Sequence, residues 1–465
     1  MSFRIFNLHL RLSLLLLALL EGALLLLVPH LVTWLGLGSF GDRLGTSSDP
    51  VWGGSVVFAL LGLLSMLAVG LYSTRQRADI TGLAVRVFVA VCGAVVLSAL
   101  VFYFLPGIGI GRRTLAVAGA LAVVGSVVLR LIVQRAFDDQ LFRRRVLVLG
   151  AGRRAATLLD LRRRSDTHGF RLMAFMAADG DQLVVPAGDR LERPADLFQW
   201  ALEAKIDEIV LAMDDRRRDF PINELLECRL AGIDVLEPPT FLERETSRVR
   251  LDVLNPSWLV LGEGFRDSTL DQLLKRAFDI VVSLVLLVPS LPIMLLTALA
   301  IRIEDGWRAP VLYRQSRVGR YNRPFKMLKF RSMCQHAEQS GAVWATEDDP
   351  RVTRVGRWIR KLRIDELPQF WNVLRGEMSI VGPRPERPEF VDELAQDLPF
   401  YRSRHAVKPG ITGWAQLCYP YGASKRDALE KLQFDLYYVK HRNLIFDLAI
   451  IVQTVEVVLW RKGAR

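Results

Sequence analysis

Lys275-Arg276-Ala277-Phe278-Asp279-Ile280-Val281-Val282-Ser283-Leu284-Val285-Leu286-Leu287-Val288-Pro289-Ser290-Leu291-Pro292 opens an apolar run that continues to about residue 303. How that run meets a bilayer decides the architecture of the chain. At ~1.5 Å per residue it is long enough to cross. Its flanks argue otherwise. Lys275 and Arg276 form a cytosolic flank, and the segment after residue 308 is also basic, so a crossing would put one cationic side on the wrong face. Pro289 and Pro292 interrupt the run near its middle, and a proline both removes an amide donor and clashes with the turn before it. The expectation is a re-entrant helix–break–helix over 277–303, entering and leaving on the cytosolic face. Ser290 or the flanking cations would serve the carbonyls freed inside the membrane. A fifth span kinked at proline is the alternative.

Upstream, apolar stretches at roughly 12–36, 51–72, 84–105 and 114–133 each supply the ~20 residues a helix needs to cross the hydrocarbon core. Arg4 and Arg11 precede the first, Arg75, Arg77 and Arg86 flank the turn from the second to the third, and Arg135, Arg143, Arg144 and Arg145 follow the fourth. These cationic sides are cytoplasmic. The loop at 37–50 carries only Arg43 and lies outside; Arg112 and Arg113 are a mild exception. The first run lacks a small-residue cleavage site, so a removable leader is not expected. With 51% hydrophobic and 24% charged residues among 465, and a mean hydropathy of +0.24, the chain is too apolar for an ordinary soluble enzyme and too charged to lie wholly in lipid. The net charge of +12 suits anionic lipid or phosphate-bearing substrates. Cys92, Cys228, Cys334 and Cys418 form no CxxC pair and the six histidines no metal spacing, which excludes a disulfide frame or zinc site.

From 145 to about 265 the pattern becomes α/β. Val146-Leu147-Val148-Leu149 reads as a buried parallel strand, and Gly150-Ala151-Gly152-Arg153-Arg154-Ala155 opens a helix in the GxGxxA form of the dinucleotide fingerprint. Gly150 and Gly152 are the candidate cofactor-binding positions. Further strands are expected at 171–177, 207–212 and 233–236. The acid that would hold a ribose is not evident, Asp179 and Asp181 coming late, so a dinucleotide is expected to be absent and the domain to serve as a Rossmann-like scaffold.

Beyond 308 the chain is basic. Gln315, Arg317, Lys326, Lys329 and Arg331 are followed by Arg351, Arg354, Arg357, Arg360, Lys361 and Arg363; arginine forks match phosphate oxygens. Within this cationic setting stands Asp365-Glu366, ahead of Pro368. One carboxylate could attack phosphorus while its neighbour holds Mg²⁺, which takes one or two carboxylates plus substrate phosphates. A helix start would keep a carboxylate ionised. Residues 443–460 are too interrupted by Asp447, Gln453 and Glu456 to span, and read as an amphipathic helix. No nucleic-acid module is recognisable, and nucleic acid is excluded as a partner.

The last ~190 residues resemble the bacterial sugar transferase family, the polyprenyl-phosphate glycosyl-1-phosphate transferases. The resemblance rests on Lys275-Arg276-Ala277-Phe278-Asp279, Pro292, Tyr313-Arg314-Gln315 with Arg317 and Gly319, and Lys329-Phe330-Arg331-Ser332-Met333. It continues through Asp349-Pro350-Arg351, Thr353-Arg354, Asp365-Glu366-Leu367-Pro368-Gln369, Asn372-Val373-Leu374, Met378-Ser379, Val381-Gly382-Pro383-Arg384-Pro385 and Lys408-Pro409-Gly410-Ile411-Thr412-Gly413-Trp414. Leu291-Pro292 replaces the Ser-Pro common at the family's membrane break. The layout is similar to that of the long members that initiate exopolysaccharide or O-antigen synthesis. The resemblance implies that Asp365 attacks the sugar-bearing phosphorus of a UDP-sugar, releasing UMP, and that the phosphosugar passes from Asp365 to undecaprenyl (polyprenyl) phosphate. It implies Glu366 as the Mg²⁺ ligand. Arg360 and Arg384 are the foremost phosphate contacts, with Lys329, Arg331, Arg317, Gln315, Arg354, Asn372, Pro383 and Pro385 as further substrate-binding candidates. It also implies a multi-pass protein of the bacterial inner membrane, its catalytic part facing the cytoplasm, with a homodimer left open. Glucose and galactose are the leading sugars, and amino sugars stay open.

The fold expected is thus a mixed membrane protein: four transmembrane helices over 1–140, a Rossmann-like (CoA-binding-like) cytosolic α/β domain over 141–268, and a re-entrant-helix α/β catalytic domain over 269–465. A membrane-anchored NAD-dependent nucleotide-sugar dehydratase or epimerase is the rival. Its YxxxK pair is matched by Tyr421 and Lys425, but no glycine fingerprint precedes that pair where one is needed.

Overall fold

The computed structural model describes residues 2–5, 8–37, 50–72, 80–136, 143–161, 169–217, 220–252, 264–265, 268–334, 349–419 and 424–460. Arg43, Arg75, Arg77 and Tyr421 lie outside these. Two compact units divide the chain, Met1–Thr246 and Ser247–Arg465.

The first unit begins with a short antiparallel strand pair, Ser2–Ile5 with Leu8–Arg11, followed by four apolar helices, α1 (Leu12–Trp34), α2 (Pro50–Ala68), α3 (Ile80–Phe104) and α4 (Arg112–Ala136). Glycine terminates the first two in the same way. Gly36 and Gly70 adopt positive φ, and each is bracketed by a pair of reversed bonds: Gly36 N to Thr33 O with Leu37 N to Val32 O, and Gly70 N to Leu67 O with Leu71 N to Met66 O. Inside the bundle Arg130 meets Glu21 through two 2.7 Å bonds, and Tyr72 donates to the same carboxylate at 2.5 Å; a charge within an apolar bundle persists when paired in this way.

Four helices among the described residues are long and apolar enough to cross a membrane: Leu16–Trp34, Gly82–Phe104, Arg112–Val133 and Thr269–Asp305. The second expected span is α2, 19 apolar residues over Pro50–Ala68, and Gly70 ends it a few residues short of 72. The run over Thr269–Asp305 is a further long apolar helix.

The rest of this unit is a five-stranded parallel sheet: β1 (Arg144–Leu149), β2 (Phe170–Met176), β3 (Arg190–Leu191), β4 (Glu208–Leu211) and β5 (Asp234–Leu236), in the order β3-β2-β1-β4-β5. Helices α5 (Arg153–Leu159), α6 (Leu197–Glu203), α7 (Ile222–Leu230) and α8 (Pro238–Thr246) accompany it. The order is that of a Rossmann half, and Leu147, Leu197, Ile209 and Cys228 are fully buried in its core.

The second unit opens with α9, Thr269–Asp305, started by a capping box between Ser268 and Asp271. The anticipated break is no gap in the helix: helical backbone continues through Pro289 and Pro292. These prolines deprive the carbonyls of Val285 and Val288 of amide partners. Ser290 Oγ donates to Leu287 O at 2.8 Å, so it serves the carbonyl between them rather than either one. Val281, Val285, Leu295 and Leu296 point outward from the protein, as a lipid-facing helix requires. A hairpin of β6 (Leu312–Val318) and β7 (Pro324–Phe330) follows, then α10 (Arg354–Lys361), α11 (Gln369–Arg375), β8 (Ser379–Val381), α12 (Pro388–Asp397), β9 (Gly410–Thr412), α13 (Trp414–Cys418), α14 (Lys425–His441) and α15 (Leu444–Trp460). Strands β8 and β9 run parallel, and Val373, Met378, Phe434, Tyr438 and Ile450 form the core between them and the helices.

Candidate active site

Helix α10 stops at Leu362, and Arg363 takes a left-handed conformation, φ +59°. A non-glycine residue adopts this at a cost of about 1 kcal/mol or more. That residue turns the chain into a 3₁₀ turn, Ile364–Glu366, closed by Glu366 N to Arg363 O and Leu367 N to Ile364 O. Pro368 then sets the start of α11. The two carboxylates are therefore presented by a short strained turn between two helices.

Three cations surround Glu366. Arg384 Nη2 stands 3.2 Å from its Oε1, and Lys329 Nζ and Arg363 Nη1 each stand 3.6 Å away. Burial would raise the Glu366 carboxyl, but Arg384, Lys329 and Arg363 outweigh it and hold it down to about 2. Asp365 is nearly buried. Burial pushes its carboxyl up, Glu366 pushes the same way, and Lys329, Arg360 and Arg363 pull against them; the net direction is upward. The helix start expected to keep this carboxylate ionised is not the governing influence: burial and neighbouring charges are. The Lys329 ammonium is itself depressed, chiefly by burial.

The loop Gly382-Pro383-Arg384-Pro385 reaches the turn from β8. It fits only because glycines meet there: a Cβ on Gly382 would stand 2.4 Å from Lys408 O, and one on Gly410 would stand 2.1 Å from Gly382 N. This close approach accounts for the paired Gly-Pro-Arg-Pro and Lys-Pro-Gly motifs.

The structure thus brings Asp365, Glu366, Lys329 and Arg384 together, with Arg360 and Arg363 beside them. Arg360 Nε also donates to Ser332 Oγ at 2.8 Å. The other candidates make contacts of their own. Arg317 is bound to Gln315 Oε1 at 2.6 and 3.0 Å and to Pro385 O at 3.1 Å, so Arg317, Gln315 and Pro385 brace one another. Burial lowers Arg317 to about 10. Pro383 offers its carbonyl to Gly410 N. Arg331 is buried and paired with Asp305 at 2.5 Å, at the end of α9. Arg354 begins α10, its amide bound to Glu304 Oε1 at 2.7 Å. Asn372 is held inside the fold. It is fully buried, accepts from Leu328 N at 2.9 Å, and donates to Lys326 O at 2.9 Å and Glu377 Oε2 at 2.6 Å. Its amide ties β7 to α11, with both N–H donors used within the protein. Sequence reasoning missed Glu304, which caps α10 through Arg354 N and Val355 N, and the buried pair Arg404–Asp435. A single sequence carries no signal linking such distant partners.

The glycine fingerprint in the first unit is also occupied by the chain itself. Asp214 accepts from Arg153 N at 3.0 Å and Arg154 N at 3.1 Å, the amides that open α5. Asp181 accepts from Ala151 N at 2.8 Å and from Asp214 N at 2.9 Å. A Cβ on Gly152 would stand 1.9 Å from Asp214 Oδ2. Pyrophosphate needs these amides and would face two carboxylates, so the residues present do not fit a dinucleotide or coenzyme A at Gly150 and Gly152.

An ionisable carboxylate beside a second carboxylate, faced by lysine and arginine on a unit with a long apolar helix, is an arrangement that can hold phosphate oxygens and present an attacking oxygen to phosphorus. Residues 270–461 match the family model described as bacterial sugar transferase, and residues 67–226 match the one described as CoA-binding domain. The chain is 45% identical over 241 residues to UDP-N-acetylgalactosamine-undecaprenyl-phosphate N-acetylgalactosaminephosphotransferase of Aeromonas hydrophila, covering 52% of this chain and 56% of that one. It is 43% identical over 266 residues to UDP-glucose:undecaprenyl-phosphate glucose-1-phosphate transferase of Escherichia coli (strain K12), covering 56% of each. It thus spans little more than half the length of these two relatives. An uncharacterized sugar transferase of Bacillus subtilis (strain 168) is 40% identical over 198 residues, 41% of this chain and 90% of its own length. The chain belongs to the bacterial sugar transferase family.

Proposed function

We propose that this chain transfers a sugar-1-phosphate from a UDP-sugar to undecaprenyl phosphate, releasing UMP, as the first step in assembling an exopolysaccharide or O-antigen repeat. The observation that carries this reading is the Asp365-Glu366 turn enclosed by Lys329, Arg363 and Arg384. An Asp365 oxygen attacks the phosphorus bearing the sugar; the bond from that phosphorus to the bridging oxygen breaks and UMP leaves with the electron pair. A phosphate oxygen of the lipid then attacks the same phosphorus and the Asp365 carboxylate departs, leaving polyprenyl-diphospho-sugar. Arg384 and Arg360 hold phosphate oxygens, and Lys329 offsets charge on the turn. Glu366 with substrate phosphates and water fits the oxygen donor set of Mg²⁺, and the ion when bound neutralises phosphate charge.

Re-entrance of α9 is part of the same proposal, and contacts at both its ends support it. Arg276 near its start binds Val373 O and Leu374 O; Glu304 and Asp305 at its end bind the start of α10 and Arg331. A straight helix would set Arg276 and Glu304 about 42 Å apart, on opposite sides of a hydrocarbon core of about 30 Å. Both instead grip one compact α/β unit, which lies on the cytosolic side of the inner membrane. The domains follow the bounds 1–140, 141–268 and 269–465, with the middle one a scaffold.

The donor sugar is the open variable, since one relative is named for N-acetylgalactosamine and another for glucose. Membrane-reconstituted protein with Mg²⁺ and undecaprenyl phosphate, offered a panel of UDP-sugars, should release UMP from one of them. Asp365→Asn and EDTA should each abolish release. Undiminished release by Asp365→Asn would overturn the reading.

A further inference from the structure

Three successive carbonyls of the loop that carries Arg384 are each taken by a donor from a different segment. Gly410 N donates to Pro383 O at 3.0 Å. Arg404 Nη2 donates to Arg384 O at 3.1 Å, and Arg317 Nη1 donates to Pro385 O at 3.1 Å. Of these donors, Arg404 is tied most firmly from behind. It is buried, its Nη2 pairs with the buried Asp435 on α14 at 2.7 Å, and its Nη1 donates to Tyr401 Oη at 2.9 Å. Its guanidinium also lies over the Tyr401 ring. A buried charge pair adds little net stability compared with apolar residues of the same shape, and its best-attested use is to specify one geometry. Here the geometry specified is that of the Arg384 backbone, whose side chain reaches Glu366 at 3.2 Å.

We infer that Arg404, held by Asp435, is a positioning residue that fixes Arg384 against the Asp365-Glu366 turn. The chain of contact runs from Asp435 to the Arg404 fork, from the fork to Arg384 O, and from the Arg384 side chain to Glu366. Lysine in place of Arg404 would keep the charge opposite Asp435 but lacks the planar fork that binds Asp435, Tyr401 and Arg384 O together. This inference rests on the transferase reading for its kinetic arm only.

The test uses full-length protein in lipid nanodiscs. Arg404→Lys should lower kcat about 10- to 100-fold, the scale of a displaced positioning group, with the same division between kcat and KM as Arg384→Ala. In the Arg384→Ala background Arg404→Lys should cost nothing further, because its route of action is gone. Fully additive losses would overturn the inference. Asp435→Asn, which preserves shape, serves if the lysine variant fails to fold, with the same expectations. Amide hydrogen exchange supplies the arm independent of turnover: peptides over 382–387 should exchange faster in either variant, with those over 364–375 unchanged. Unaltered exchange at 382–387 would sink the inference. Absence of UMP release by the parent protein would overturn the transferase reading alone, and exchange would still decide the positioning role.

Discussion

Arg276 closes the C-terminal end of the helix that follows the two carboxylates: its Nη1 and Nη2 donate to Val373 O and Leu374 O, at 2.6 Å each. A cation there supplements the bond that Val373 O takes from Gly376 N and complements the helix dipole. It also fastens α9 to the element on which the carboxylate turn rests. Arg276→Ala should lower thermal stability by about 1–3 kcal/mol, the scale of charged hydrogen bonds. UMP release should fall with it, and Arg276→Lys, a single point donor, should recover only part of both. Thermal unfolding and initial rates on the same preparations check this.

The contacts at the two ends of α9 predict sidedness. In a background with the four native cysteines replaced, Gln272→Cys and Arg308→Cys, both at exposed positions, should react with an impermeant maleimide from the same face of sealed vesicles. Labelling from opposite faces would mean that α9 crosses the bilayer.

How much was legible follows from where each signal lies. Asp365-Glu366 is readable because two carboxylates stand together in a cationic stretch, and the strands near 146 and 207 because buried strands carry short apolar runs. Only the end of the second span was illegible, because hydropathy persists through Val69 and Leu71 while Gly70 ends the helix. Arg404–Asp435, Glu304–Arg354 and Asp214 with the start of α5 were not legible. Each joins residues tens of positions apart, and neither periodicity nor spacing encodes such a pair. The bonds of Asn372 were illegible for a related reason: a motif residue reads alike whether it binds a ligand or the backbone.

The site charges fix the pH dependence. In the proposed mechanism Asp365 attacks in its ionised form, and burial raises its carboxyl, so turnover should fall on the acid side above the ordinary aspartate value. Glu366, held to about 2, stays ionised throughout. Lys329, depressed by burial, should lose its charge on the alkaline side below the ordinary lysine value, closing a bell. Lys329→Met removes a cation that favours the ionised form of Asp365, so the acid limb should move to higher pH and the Lys329 contribution to the alkaline limb should vanish. A kcat profile against pH for both proteins decides it; an unmoved acid limb would contradict the assigned coupling.

The occupied fingerprint predicts indifference to nucleotide cofactors. Neither NAD nor coenzyme A should raise the melting temperature of the full chain. Asp214→Ala should destabilise it by about 0.5–2 kcal/mol, as loss of a helix cap does. A cofactor-dependent shift in the parent protein would show that the amides of Arg153 and Arg154 can be released from Asp214.

Asn372 distinguishes a binding role from a structural one. Its three hydrogen bonds join Leu328 N, Lys326 O and Glu377 inside the protein. Removing the amide strands buried groups that water does not reach, at about 1–3 kcal/mol for each one left unpaired. Asn372→Ala should therefore lower the melting temperature and the yield of folded protein, while KM for the donor sugar measured on the folded fraction stays unchanged. Asn372→Asp should be at least as harmful, because it loses the donor and sets a carboxylate against Glu377. A ligand contact predicts the reverse: a raised KM with stability intact. Melting curves beside KM values for the two variants separate these outcomes, since unpaired interior groups act on the folded state and a lost substrate bond does not.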